Sequence, residues 1–304
     1  MPVLIAILMA GAALAETFAY KRVGSLAIQA DVYRGEGASP RPVLLFIHGG
    51  ALIMGSRKAR PAQFEPYQKA GITVVSIDYR LAPETKLPAL WQDVEDAYRW
   101  IRRDGPRLFG ADPARIAVMG QSAGGYLTLL AGARLKPAPK VLVAWYGYGD
   151  LAGDWYARPD AFYRKQPLVS KEDALAAVGS AELSEPPSPN QRGRFYLYTR
   201  QQGLWPLLVT GFDPVAARRQ LDGYCPVRIA RRGYPPTILL HGDADTDVPV
   251  EQSREMAAAL QRLGVEHELV ILPGRPHGFD RAMNEPEVKA AFDRAMKFLT
   301  DRLR

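Results

Sequence analysis

Cysteine occurs once in the 304 residues, at Cys225. A single thiol excludes an internal disulfide and any Cys-rich metal site. It sits in "GYCPV", between turn-formers, and is given no catalytic role. Histidine is nearly as scarce. His48, His241, His267 and His277 are dispersed, with no H-x-x-x-H spacing, which argues against a zinc site. No apolar run is long enough to cross a bilayer as a helix. The run "VLIAILMAGAAL" (3–14) has the length of a secretory h-region and leads into an A-x-A cleavage pattern before Glu16. However, "MP" offers no Lys or Arg ahead of it. Residues 1–15 therefore read either as a leader or as an N-terminal arm. A cleaved leader implies a secreted or periplasmic protein, an arm a cytoplasmic one. A tract of single-sign charge is also missing. The formal net charge is +7, but the basic residues are scattered among acids, which favours a basic soluble protein over a nucleic-acid binder. No internal repeat is visible.

What is present is an alternation. "TFAYKRV" and "LAIQADVY", joined through Gly24-Ser25, read as a hairpin. Short continuous apolar runs follow at 42–48, 72–78, 115–120, 140–147, 237–242 and 267–273. Runs of this kind are expected of strands buried on both faces in a parallel sheet. Helical patterns separate them, at 89–103, 123–135, 250–263 and after Asn284 with Pro286 just inside. The predicted class is α/β: a doubly wound, mostly parallel central sheet flanked by helices. The rhythm breaks between residues 149 and 235, an aromatic-rich stretch with its own short helices. One of these is N-capped by Ser170, with Asp173 near the capping-box position. This stretch is expected to form a cap over one end of a core made of residues 16–148 and 236–304.

Four loops carry chemistry. "GQSAGG" (120–125) lies between a strand and a helix, the context that makes G-x-S-x-G a nucleophile elbow presenting Ser122. "HGGAL" (48–52) follows a neighbouring strand. Its Gly50 and Ala51 N–H groups, with that of Ala123 after the serine, are suited to bind a tetrahedral oxyanion. Gly49 shapes the turn, and His48 is expected to lock the loop. His277, in the Pro/Gly loop "GRPHGFD" between the last strand and last helix, is the candidate general base. The acid is sought in "HGDADTDVP" (241–249). A calcium loop starting at Asp243 would need Gly at its sixth position and Glu at its twelfth. Val248 and Arg254 stand there, so the calcium reading fails.

At these residues the chain resembles the hormone-sensitive-lipase-like esterases of the α/β-hydrolase superfamily. "HGGAL" is similar to that family's oxyanion loop, "DYRLAPE" (78–84) to its signature segment and "GQSAGG" to its elbow. "HGDADTDVP" matches an HG-x-x-D-x-x-VP pattern whose aspartate is the triad acid, which selects Asp245. "HGF" (277–279) is similar to the loop carrying the triad histidine. The departures are Ala51 in place of a third glycine and Gln121 where the family often has Asp. The resemblance implies hydrolysis of short or medium acyl esters through Ser122, His277 and Asp245, acting on a small-molecule ester with no metal or organic cofactor. Asp243 and Asp247 are expected to shape the turn by bonding nearby backbone N–H groups, and Arg80 and Glu84 to form an ion pair beneath the site. Tyr146, Trp155 and Trp205, with Tyr148, Phe195 and Tyr196, either line a substrate pocket or pack the cap. The HG-x-x-D-x-x-VP stretch is also similar to that of prolyl-oligopeptidase-type exopeptidases. That reading ranks second, because the chain lacks the large N-terminal propeller such peptidases usually carry. A third reading is a non-catalytic binding protein on the same fold.

Overall fold

The computed structural model describes residues 15–58, 61–186 and 189–304. The apolar segment 3–14 and its reading as a leader lie outside them. Eight strands form one sheet: β1 (Glu16–Val23), β2 (Leu26–Tyr33), β3 (Arg41–Ile47), β4 (Thr73–Ile77), β5 (Ala111–Gln121), β6 (Val141–Trp145), β7 (Thr237–Gly242) and β8 (His267–Leu272). The spatial order is β1-β2-β4-β3-β5-β6-β7-β8. β1 and β2 form the antiparallel hairpin, β2 meets β4 antiparallel, and every later pairing is parallel. The continuous apolar runs are explained by burial on both faces: every residue of β4, β6 and β7 is buried. Burying one Val or Leu side chain is worth ~1.5–3 kcal/mol, so these strands anchor the fold. β5 begins at Ala111, earlier than its apolar run at 115–120. Ala111 pairs with Arg41 beyond a register shift, so the strand is extended by backbone pairing and not by apolar side chains.

The helices that flank the sheet follow from their patterns. α1 (Leu87–Arg103) buries Leu90, Val94, Ala97, Tyr98 and Ile101, one stripe at helical spacing. α2 (Ala123–Arg134) is buried from Ala123 to Ala133, as its small apolar sequence requires. Between β6 and β7 the described residues contain no strand. They contain short helices and one longer one, α3 (Pro189–Gln202). Ser170 caps the short helix Lys171–Leu175 by accepting the Asp173 N–H at 3.0 Å. The end of this segment packs on the sheet's own helices: Tyr126 Oη donates to the Tyr224 carbonyl at 3.0 Å. α4 (Glu251–Arg262) and α5 (Pro286–Leu303) complete the layers. Among the described residues no helix is long and apolar enough to cross a membrane.

Strand register brings the four chemical loops together. Ile47 pairs with Gly120, which sets the loop after β3 beside the elbow after β5. Gly242 pairs with Leu272, which sets the acid loop beside the histidine loop. In an open parallel sheet the carboxyl ends of the strands are where ligands are held.

Candidate active site

Ser122 ends β5 and opens α2 with φ 55° and ψ −120°. That conformation is costly for a residue with a Cβ. Among the described residues, the non-glycine residues with positive φ are Ala51, Leu52, Ser122 and Tyr146. All four lie on the loops that meet here, so backbone strain is concentrated at one place, as in functional sites. The turn closes because Gly124 has no side chain: a Cβ there would strike the carbonyl oxygens of Ile47 and His48. Gly49 is equally constrained, since its Cβ would lie 2.7 Å from the Gln121 oxygen and 3.2 Å from the Ser122 Cβ. The 48–52 loop is therefore pressed against the serine.

Three side chains form a hydrogen-bonded line. Ser122 Oγ lies 3.0 Å from His277 Nε2. His277 Nδ1 lies 2.7 Å from Asp245 Oδ2. The other Asp245 oxygen accepts the backbone N–H groups of Asp247 and Val248 at 2.8 and 2.9 Å. His241 Nε2 approaches Asp245 Oδ2 at 3.3 Å from below, a contact that sequence reasoning did not foresee. Burial alone would push the Asp245 carboxyl up. The bonds from His241 and His277, the charge on His277 and the Val248 N–H instead hold it well below the usual carboxylate range. For His277, burial opposes protonation, but the Asp245 hydrogen bond and the charges of Asp247, Asp245 and Asp280 prevail and raise its pKa.

The other histidines are committed elsewhere. His48 is buried, bonds the Gly49 carbonyl at 2.7 Å and stacks on Tyr79 with ring centroids 4.3 Å apart. Desolvation lowers its pKa to about 4, so it stands as a neutral brace for the loop. His267 begins β8 and pairs with Thr237, one strand length from the site. Cys225 is buried, and that burial pushes its thiol up to about 12.

Carbonyls of the 48–52 loop are turned into the protein. Gly50 O accepts the N–H of Ile53 and Met54, at 2.9 and 3.0 Å. Ala51 O accepts Trp205 Nε1 at 3.3 Å, and Leu52 O accepts the Ala82 N–H at 2.8 Å. Gly49, Gly50 and Ala51 then line, with Ser122 and His277, a cavity of 580 Å³. Ala123 follows directly as the first residue of α2, where helix N–H groups have no intrahelical acceptor.

Several expectations are corrected by this geometry. Of the three aromatic residues proposed as substrate contacts, Tyr146 lines the cavity. Its ring meets His277 edge-on at 4.7 Å, and its hydroxyl bonds Asp280 at 2.5 Å. Trp155 and Trp205 are not on the cavity wall. They sandwich Tyr156 in a stack, with centroids 3.7 and 4.1 Å away, because flat rings bury more area against one another than along a wet wall. Tyr196, by contrast, does line the cavity. Arg80 and Glu84 do not pair. Arg80 binds Asp93 and Glu182 at 2.8 Å, and Glu84 binds Arg192 bidentately at 2.9 and 2.8 Å. Each charge finds a partner with matching reach in a helix or in the 149–235 segment.

Asp243 does accept a backbone N–H, from Gly274 at 2.6 Å. Asp247 instead turns toward the cavity. One of its oxygens takes Tyr163 Oη at 2.6 Å, Arg200 Nη1 at 3.0 Å and Tyr196 Oη. The other lies 3.4 Å from His277 Nε2. The chain bends here, with Asp245 Oδ1 accepting the N–H groups of both Asp247 and Val248, and no spacing in the sequence marks which way Asp247 points. Gln121 donates to Gln63 at 3.1 Å and to Asp280, which accounts for an amide where a carboxylate was expected. Among the described residues no cluster of three metal-ligating side chains occurs.

Comparisons with known proteins agree with this architecture. A family model described as alpha/beta hydrolase fold matches residues 44–281. A non-reducing polyketide synthase from Aspergillus terreus, trt4, is 30% identical over 315 residues, covering 87% of this chain but only 13% of the synthase. The chain thus spans about an eighth of that relative's length. An alpha/beta hydrolase superfamily protein from Enterococcus faecalis superimposes with a TM-score of 0.72 at 21% identity, covering 95% of this chain and 99% of its own. A propionate-bound thermophilic esterase from Thermogutta terrifontis gives 0.64 at 22% identity, covering 93% and 94%. At those identities the two structures speak to fold alone.

Proposed function

Because this chain belongs to the alpha/beta hydrolase fold family, on its hormone-sensitive-lipase-like branch, we propose that it is a serine esterase for short or medium acyl chains. The observation that carries the reading is the unbroken line Asp245–His277–Ser122, at 2.7 and 3.0 Å. In this mechanism His277 Nε2 takes the proton from Ser122 Oγ as that oxygen attacks the ester carbonyl carbon. The carbonyl oxygen becomes an oxyanion received by the N–H groups of Gly50, Ala51 and Ala123. One such donor is typically worth ~10²–10³ in rate. The intermediate collapses, and the departing alcohol oxygen takes the proton from Nε2. Water, deprotonated in turn by His277, releases the acid and restores Ser122. Asp245 holds Nδ1–H and stabilises the imidazolium without becoming protonated itself.

Residues 149–235 serve as a cap in this reading: Tyr196 lines the cavity, and Arg200 binds the acid loop. The test is turnover of p-nitrophenyl butyrate together with labelling by a fluorophosphonate. Both are expected in the wild type, and both are lost in Ser122→Ala. A folded wild type that neither turns over any short ester nor is labelled sinks the reading in favour of a binding protein. Preferential cleavage of aminoacyl-anilides would move it to the exopeptidases.

The 30% identity to part of a polyketide synthase favours a second reading, in which the acyl group arrives as a thioester. The same triad serves, with a thiolate leaving in place of an alcohol. Butyryl-N-acetylcysteamine cleaved with higher kcat/KM than ethyl butyrate would establish it.

A further inference from the structure

Asp247 occupies a position that the esterase reading leaves unused. Its two oxygens are treated differently. Among the described residues, three donors converge on Oδ1: Tyr163, Tyr196 and Arg200. These donors are themselves fixed. Arg200 is 1% exposed and also binds Asp160 at 2.6 Å, and its guanidinium lies over the Tyr156 and Tyr163 rings at 4.9 and 4.7 Å. Oδ2 is left facing the cavity, 3.4 Å from His277 Nε2, on a side chain 21% exposed. It is an acceptor set in place before any ligand arrives.

Resting on the proposal that Ser122 takes the acyl group, we infer that Asp247 reads the alcohol half of the ester, selecting leaving groups with a hydroxyl on the carbon next to the ester-bearing carbon. The argument is geometric. A departing alcohol must take its proton from His277 Nε2, so its oxygen sits within hydrogen-bond reach of that nitrogen. Asp247 Oδ2 flanks the same nitrogen. A hydroxyl one carbon further along the leaving group spans the distance between them and donates to Oδ2. An alkyl group there leaves the carboxylate oxygen desolvated and unpaired, which is unfavourable. A methoxy group presents only acceptor lone pairs to an acceptor. The ligand class is therefore the monoester of a vicinal diol, such as a glycol, a glycerol or a sugar.

The experiment uses the full chain and three esters: 2-hydroxyethyl acetate, its near-isostere propyl acetate, and 2-methoxyethyl acetate. Each kcat/KM is divided by the ester's rate of alkaline hydrolysis. The wild type is expected to favour the hydroxyethyl over the propyl ester by roughly tenfold, the scale of a hydrogen bond to a charged acceptor, and to disfavour the methoxyethyl ester. In Asp247→Asn the amide oxygen keeps the three donors on its protein side and turns an NH₂ to the cavity. The hydroxyethyl preference then falls to near unity, and the methoxyethyl ester gains on the propyl ester. Because each ratio is internal to one variant, a general loss of activity cancels. A wild type indifferent to the hydroxyl overturns the inference whether or not the variant folds. So does a preference that persists unchanged in Asp247→Asn. If none of the three esters is cleaved and the fluorophosphonate does not label Ser122, the esterase reading fails and this one with it.

Discussion

Asp245 and Asp247 stand two residues apart but belong to different parts of the molecule. Asp245 is held by the sheet's own loops, through backbone N–H groups, His241 and His277. Asp247 is held by the segment between β6 and β7, through Tyr163, Tyr196 and Arg200. The contrast extends to the whole of each region. The sheet is organised by continuous apolar strands and by glycines that let backbones touch. The segment above it is organised by stacked rings and arginines reaching down to acids: Arg192 to Glu84 and Arg200 to Asp247. At Arg80–Glu182 and Lys58–Glu185 the pairing runs upward from the core. Apolar packing fixes the reacting groups with little directional demand. Charged tethers fix the segment's orientation over them, and each is sensitive to a single lost partner.

The sharpest way to break this comparison is to neutralise each aspartate in turn. Asp245→Asn should lower kcat by about 10⁴-fold, because the amide favours the wrong tautomer of His277. Asp247→Asn should cost far less on p-nitrophenyl butyrate, about tenfold or below, since Ser122 and His277 remain in line. Equal losses in the two variants would mean that the segment's aspartate shares in the proton transfer, and the division drawn between the regions would fall.

A second test addresses the tethers. Arg192 and Glu84 are 1% and 0% exposed. Arg192→Met strands a buried carboxylate and should destabilise the protein by about 3–5 kcal/mol, read from urea unfolding. Adding Glu84→Gln removes the stranded charge and should restore most of that loss. If Arg192→Met costs less than about 1 kcal/mol, the pair is not what holds the segment down.

How much could be read beforehand divides along the same line. β3 to β8 were visible as apolar runs, β1 and β2 as a hairpin around Gly24-Ser25, and α1, α2, α4 and α5 as stripes or small-residue tracts, because burial on a regular element leaves a pattern. Ser122 and His277 were visible because a tight elbow and a short loop at a strand end demand glycine and proline around them, whereas Asp245 was singled out among three aspartates only by the family resemblance. Partner choice among charges was not visible. Arg80 has Glu84 four residues away yet binds Asp93 and Glu182, since long side chains choose by three-dimensional reach. Trp155 and Trp205 carry no sign of whether they face a cavity or a neighbouring ring. Asp247 was misread for the same reason: its donors lie 47 to 84 residues away in sequence.

A smaller effect is expected in the pH profile. His277 must be neutral to take the serine proton, and its pKa is raised: burial works against the charged form, but Asp245, Asp247 and Asp280 together outweigh it. The acid limb of kcat/KM should therefore have its midpoint above the ordinary histidine value of about 6.5, with activity rising as pH increases through it. Asp247→Asn removes one of the stabilising charges and should move the limb down. A limb that does not move would detach Asp247 from the electrostatics of the histidine and leave it a tether alone.

The smallest change separates the two regions as folding units. Ser170 caps a five-residue helix within the segment, accepting the Asp173 N–H, and Ser170→Ala should cost that helix about 1 kcal/mol. Where that cost appears is the informative point. If the buried arginine pairs and the Tyr156 stack bind the segment to the sheet as one cooperative body, global unfolding in urea shifts by the full amount with an unchanged slope. If the segment opens by itself, the global midpoint stays put, while amide exchange and proteolytic cleavage around residues 165–180 accelerate about fivefold. The tethers at Arg192 and Arg200, a little over two turns apart along α3, favour the first result. The second would show that the ion pairs orient a region that still breathes independently of the triad beneath it.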